Sequence, residues 1–256
     1  MRSISLVAVV AVVAAGVLAA GTHASAQRGA APQGPPPTPR AAAPIDITGT
    51  WVSIVTEDWR WRMITPPKGD YPSIPLTPAG RAVAEQWDPA KDAAAGEHCR
   101  PFGAANIMRM PGRIRLSWQN DTTLKVETEA GTQTRLFVFG AQPPASGDRT
   151  WQGPSSAQWL LPGGGRGRGA PGFGSMKIVT SRIRPGYLQR NGVPYSENAV
   201  VTEFFNRTRE PNGDQWLVVT TTVEDPQNLA ARFTRSSHFK KLPDGAAFTP
   251  QSCETS

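Results

Sequence analysis

The sequence predicts an all-β domain, an antiparallel up-and-down meander that closes into a barrel. Three observations point there: runs in which apolar and polar residues alternate, reversal signals between those runs, and only one stretch of helical character. A long meander of this kind removes its bare edges by closing on itself.

The chain opens with Arg2, an apolar run from Ile4 to Ala20 and then Ala24-Ser25-Ala26. A charged start, an apolar centre and an Ala-x-Ala ending are the parts of a secretory signal, so residues 1–26 are expected to be cleaved off. A membrane anchor is the alternative, because the run approaches bilayer-spanning length. No later segment is apolar enough to cross a membrane. Residues 27–44 are Pro, Ala and Gly with almost no large apolar side chain, a composition that cannot offset its ordering entropy. They read as a disordered tether. Residues 45–256 then form one barrel domain, periplasmic or secreted, and a monomer.

Within the domain, Trp59 and Trp61 alternate with Asp58, Arg60 and Arg62. On a strand this sets a stacking face against a face with two guanidinium groups able to hold a carboxylate or phosphate. Alternatively the tryptophans are core and the arginines pair with acidic neighbours. A helical insertion is expected over about 77–97, with Thr77 as cap, Pro78 at the first position, and Val83 and Trp87 on one face. Leu124, Val126 and Thr128 alternate with Lys125, Glu127 and Glu129, and TQTRLFVFG follows as hairpin partner. Residues 140–150 are a loop by composition. So is the Gly/Arg segment 163–174, whose single short RGG-like tract is a weak pointer to RNA in an exported chain. Four more strand-like runs follow, punctuated by Pro185-Gly186, Pro211-Asn212-Gly213 and Asp225-Pro226.

The formal charge is +7, with Arg supplying 21 of 27 basic residues. They are scattered and form no block, which together with export argues against nucleic acid. Nucleophile-elbow, zincin, Cys-x-x-Cys, phosphate-loop and dinucleotide motifs are missing. Beyond the signal only His98 and His238 remain, so no metal centre and no cofactor are expected. Cys99 and Cys253 are the only cysteines, and an even pair in an oxidising compartment is expected to bridge, pinning the tail to the helical segment.

The opening Asp46-Ile47-Thr48-Gly49-Thr50-Trp51 resembles the first strand of lipocalins, whose Gly-x-Trp packs the closed end of a ligand-binding barrel. VTEDWRWRM (55–63), PPKGDY (66–71), GTQTRLF (131–137), RPGYLQRNGVPYS (184–196) and TVEDP (222–226) are similar to a family of secreted bacterial proteins of unassigned function. That resemblance spans most of the mature chain. It implies export and this fold, and it supplies no catalytic residue.

Strict alternation places Glu203 beside Val201 and Phe205, among apolar neighbours. A buried carboxylate must pair or shift its pKa. It could form an ion pair with Arg135 or Arg182, contact a ligand, or act in catalysis. His238 shares a polar face with Thr234, Ser236 and Lys240, either solvent or a polar interior. Tyr187 and Tyr195 flank a loop that could be a lid. The leading expectation is a lipocalin-like protein binding a small amphipathic or anionic ligand through Trp59, Arg60, Trp61, Arg62, Arg135, Glu203, Tyr187 and Tyr195. The alternatives are a barrel hydrolase or isomerase using Glu203, His238 and Asp58 for acid–base chemistry, and a cell-envelope interaction protein.

Overall fold

The computed structural model describes residues 35–56, 58–141, 146–161 and 173–254. The expected signal segment, residues 27–34 of the expected tether and most of the Gly/Arg loop lie outside that range. Nine strands close into a barrel, so the all-β expectation holds. In chain order they are β1 (Gly49–Ile54), β2 (Arg113–Trp118), β3 (Thr123–Thr128), β4 (Thr134–Phe139), β5 (Ser155–Leu160), β6 (Ser175–Thr180), β9 (Val200–Arg209), β10 (Gln215–Glu224) and β11 (Phe233–Lys241). Between β6 and β9 the chain makes a separate hairpin of β7 (Gly186–Gln189) and β8 (Val193–Tyr195). Three short helices are α1 (Trp59–Arg62), α2 (Pro78–Glu85) and α3 (Pro89–Ala94).

Around the ring the order is β1-β11-β10-β9-β6-β5-β4-β3-β2. A ring of antiparallel neighbours alternates direction, so it needs an even number of strands. Nine strands force a parallel junction, and it falls between β4 and β5, held by only three residue pairs from Phe137↔Ser155 to Phe139↔Ala157. The other junctions are antiparallel. The long segment between Phe139 and Ser155 supplies the crossover that parallel neighbours require.

Alternation fills the interior. Trp51, Leu116, Leu124, Phe137, Phe205 and Phe239 are all essentially inaccessible and sit in one apolar cluster. Burying each such side chain contributes about 1.5–3 kcal/mol. Trp51, the tryptophan of the Gly-x-Trp opening, donates its indole N–H to the Ile47 carbonyl at 3.0 Å. A second cluster joins Leu188, Val193 and Tyr195 of the β7–β8 hairpin to Tyr71, Ala84 of α2 and Phe233 of β11.

The helical insertion starts as the sequence indicates. Thr77 Oγ1 accepts from the Gly80 N–H at 2.9 Å and Pro78 opens α2. Its buried face is Gly80 and Ala84, whereas Val83 is exposed and does not share the packing of Trp87. A Cβ on Gly80 would meet the Asn228 backbone at 2.5 Å, which fixes how closely α2 approaches. Asp88 caps the separate α3 by accepting from the Ala90 N–H.

Two expectations need correcting. Residues 59–62 are one helical turn, not a strand: Asp58 takes a left-handed φ of 54° and the Met63 N–H returns to the Trp59 carbonyl at 2.8 Å. Past Ile54 the chain has left the ring and finds no strand partner, so a turn closes its backbone bonds locally. Residues 37–44, assigned by composition to the tether, belong instead with the barrel unit, which starts at Pro37. The Trp159 indole donates to the Pro39 carbonyl, and the Arg40 N–H donates to the Asp121 carbonyl.

Cys99 and Cys253 are bonded, with Cα atoms 5.1 Å apart. The tail they hold also donates the Gln251 N–H to the Glu129 carbonyl and the Thr249 N–H to the Glu129 carboxylate. Among the described residues no helix is long and apolar enough to cross a membrane.

Candidate functional site

Glu203 points into the barrel, as strict alternation requires, and its partner is Arg135. The two guanidinium NH groups donate to the two carboxylate oxygens at 3.0 and 2.5 Å, and both side chains are fully buried. Thr180 Oγ1 accepts a further bond from Arg135 and is itself linked to Ser155 Oγ at 2.7 Å. The guanidinium also lies 4.8 Å over the Phe137 ring. This fork seals Glu203 and Arg135 against any ligand arriving from solvent. Arg182, the other candidate partner, donates instead to the Gly147 carbonyl outside the barrel.

His238 lies on the outer face of β11, because its neighbours Ser237 and Phe239 are the buried, inward ones. Glu203 and His238 are therefore on opposite sides of the barrel wall and cannot exchange a proton. Asp58 is at a different place again, 3.4 Å from Arg109 and 4.0 Å from Arg235. The acid–base arrangement expected of these three residues does not assemble.

The Trp59–Arg62 turn is also dispersed. Trp59 is 60% exposed, Arg60 pairs with Asp70 at 2.9 Å, and Arg62 is buried with its Nε and NH1 donating to the Arg109 and Ile54 carbonyls. Successive helical residues are about 100° apart, so Arg60 and Arg62 cannot form one anion-holding face. Tyr195 is no lid residue: it is buried where Gly103 and Gly186 close over its hydroxyl.

Tyr187 does reach a concave surface. Outside the barrel, between α3, the turn at Arg100–Phe102 and the β7–β8 loop, lies a groove of about 380 Å³. Trp87 and Phe102 give it an apolar wall, while His98, Tyr187, Arg190 and the carboxylates Asp92 and Glu97 supply polar groups. Its volume is in the range of small-ligand sites. The Tyr187 hydroxyl donates to Asp92 at 2.7 Å and accepts from Arg100 at 3.0 Å. Gly192, at φ 85°, makes the groove possible: a Cβ there would meet Trp87 ring and Cβ carbons at 2.1–2.6 Å, so only glycine lets the indole lie on the turn.

Arg190 is the residue that strand and motif reasoning missed. One guanidinium NH donates to the Arg62 carbonyl at 2.8 Å, and its buried Nε–H has no acceptor among the described residues. Burial alone pulls its pKa below the usual arginine value, with no carboxylate acting in the other direction. Its place in Arg190-Asn191-Gly192 was the available signal. Among the described residues no three His, Cys, Asp or Glu side chains gather as a metal site.

The Tyr187 proton carries a testable pH dependence. Burial, and then its bond to Asp92, push the phenol up to about 12 from an ordinary 10.0, with Arg100 opposing. A raised folded-state pKa means that the folded chain holds the proton more tightly than the unfolded one. The associated stability is complete below pH 10 and is lost as pH rises towards 12. Denaturation midpoints should fall across that window, and Tyr187→Phe should flatten this part of the profile.

Protein-family models, curated proteins and solved structures yield no match to this chain.

Proposed function

We propose that this is an exported binding protein for a small amphipathic anion, export being what the secreted-family resemblance implies, and that the ligand occupies the outer groove. Filled by Trp51, Phe137, Phe205 and Phe239, the barrel is the rigid support for that groove and not the container. The observation that carries this reading is Arg190, a guanidinium in the groove wall with a buried, unanswered Nε–H and no carboxylate partner among the described residues. A carboxylate, sulfonate or phosphate on the ligand would complete it, while Trp87 and Phe102 would cover the apolar part.

The test uses an aromatic sulfonate dye as probe. The intact protein should bind it at one site, and Arg190→Gln should weaken binding about 10–100-fold, the loss of one charged hydrogen bond. Arg60→Gln, outside the groove, should leave affinity unchanged. Equal binding by the wild type and Arg190→Gln would overturn this reading. Native mass spectrometry of protein from its own host would then identify a retained molecule.

A second reading, an envelope interaction protein, draws on exposed Trp59, Met63 and Ile64 on and just after α1. It would leave the groove unexplained.

A further inference from the structure

The structure holds a second and much smaller space, which shares Arg190 with the groove. It is about 10 Å³, room for one water-sized particle. Three guanidinium-bearing side chains, Arg62, Arg109 and Arg190, line it together with Trp61, and Asn106 and Gln189 complete the polar wall. Among the described residues no carboxylate lines it. We propose that this cavity is a binding site for a single monatomic anion, with chloride as the physiological occupant.

The first argument is hydrogen bonding. The Trp61 indole N–H and the Arg190 Nε–H are both buried, and neither has an acceptor among the described residues. Indole and guanidinium groups are donors only, so what satisfies them must be an acceptor. Leaving such donors unanswered forfeits their hydration without return.

The second argument is charge. Arg109 is drawn below the usual arginine pKa by burial, and the nearby Arg235 adds to the effect. Asp58, at 3.4 Å, offsets only part of this. A water molecule would answer the donors but leave the clustered positive charge as it stands. An anion answers both, and the size of the space restricts it to one atom. The site shares Arg190 with the groove, but its other donor, the Trp61 indole N–H, does not line the groove, so Trp61→Phe tests this proposal separately from that reading.

Crystals of the intact protein soaked in bromide should show an anomalous peak in this cavity, within hydrogen-bond reach of Trp61 Nε1. In solution, thermal unfolding should shift upward in sodium chloride relative to sodium gluconate at equal ionic strength, and the shift should saturate with concentration. Trp61→Phe keeps the ring and removes the N–H. It should fold, as judged by circular dichroism, and lose about tenfold or more of the chloride affinity. Three results would each overturn the proposal: water in the cavity of bromide-soaked crystals, equal unfolding temperatures of the wild type in the two salts, or a chloride effect undiminished in folded Trp61→Phe.

Discussion

Replacing Glu203 by Ala should destabilise the fold by about 3–5 kcal/mol, because it leaves the Arg135 guanidinium charged and sealed inside the barrel. That is a large share of the roughly 5–15 kcal/mol that holds a typical domain folded. The double change Glu203→Leu with Arg135→Met removes both charges and keeps the volume apolar. It should recover most of the loss and could exceed the wild type by about 1–4 kcal/mol. Urea denaturation of the single and double variants measures both effects. If the double variant is no more stable than the single, the cost lies in packing around Phe137 and Thr180 and not in the unpaired charge.

Cutting the Cys99–Cys253 bridge with Cys253→Ser should cost about 2–5 kcal/mol. The two residues are 154 apart in sequence, which puts the loop-closure contribution near the top of that range, at about 5 kcal/mol. Past Leu242 the described tail forms no helix or strand, and its contacts include the Gln251 and Thr249 bonds to Glu129, Phe248 beneath Arg115, and His98 with Glu254 at 3.9 Å. Limited proteolysis should therefore cleave the variant in this tail, and denaturation midpoints should fall to those of the wild type in reductant. Because Cys253 also lines the groove, dye binding should weaken in the same variant. Unchanged midpoints with and without reductant would contradict this account.

Where period and turn chemistry decide, the sequence is readable. Leu124, Val126 and Thr128 are buried as their alternation implies, Glu203 is inward for the same reason, and Thr77-Pro78 opens a helix. Segment 59–62 was not readable, because four residues are too few to separate a period of 2 from one of 3.6. The left-handed backbone at Asp58 and the missing strand partner decided it. The parallel junction left only an indirect trace, the length of the segment after Phe139. The groove left almost none, since Trp87, His98, Tyr187 and Arg190 meet only through the packing of the β7–β8 hairpin on the helices.

The ring order has one more consequence, for the timing of assembly. β1 is flanked by β2 on one side and β11 on the other, with Trp51 opposite Ile114 and Lys241. The first strand made thus waits for the last. Until residues near 241 have emerged, any nascent chain is an open sheet with two bare edges, and the pocket around Trp51 has no lining from β11. Closure is the most non-local contact in the molecule and belongs at the end of folding.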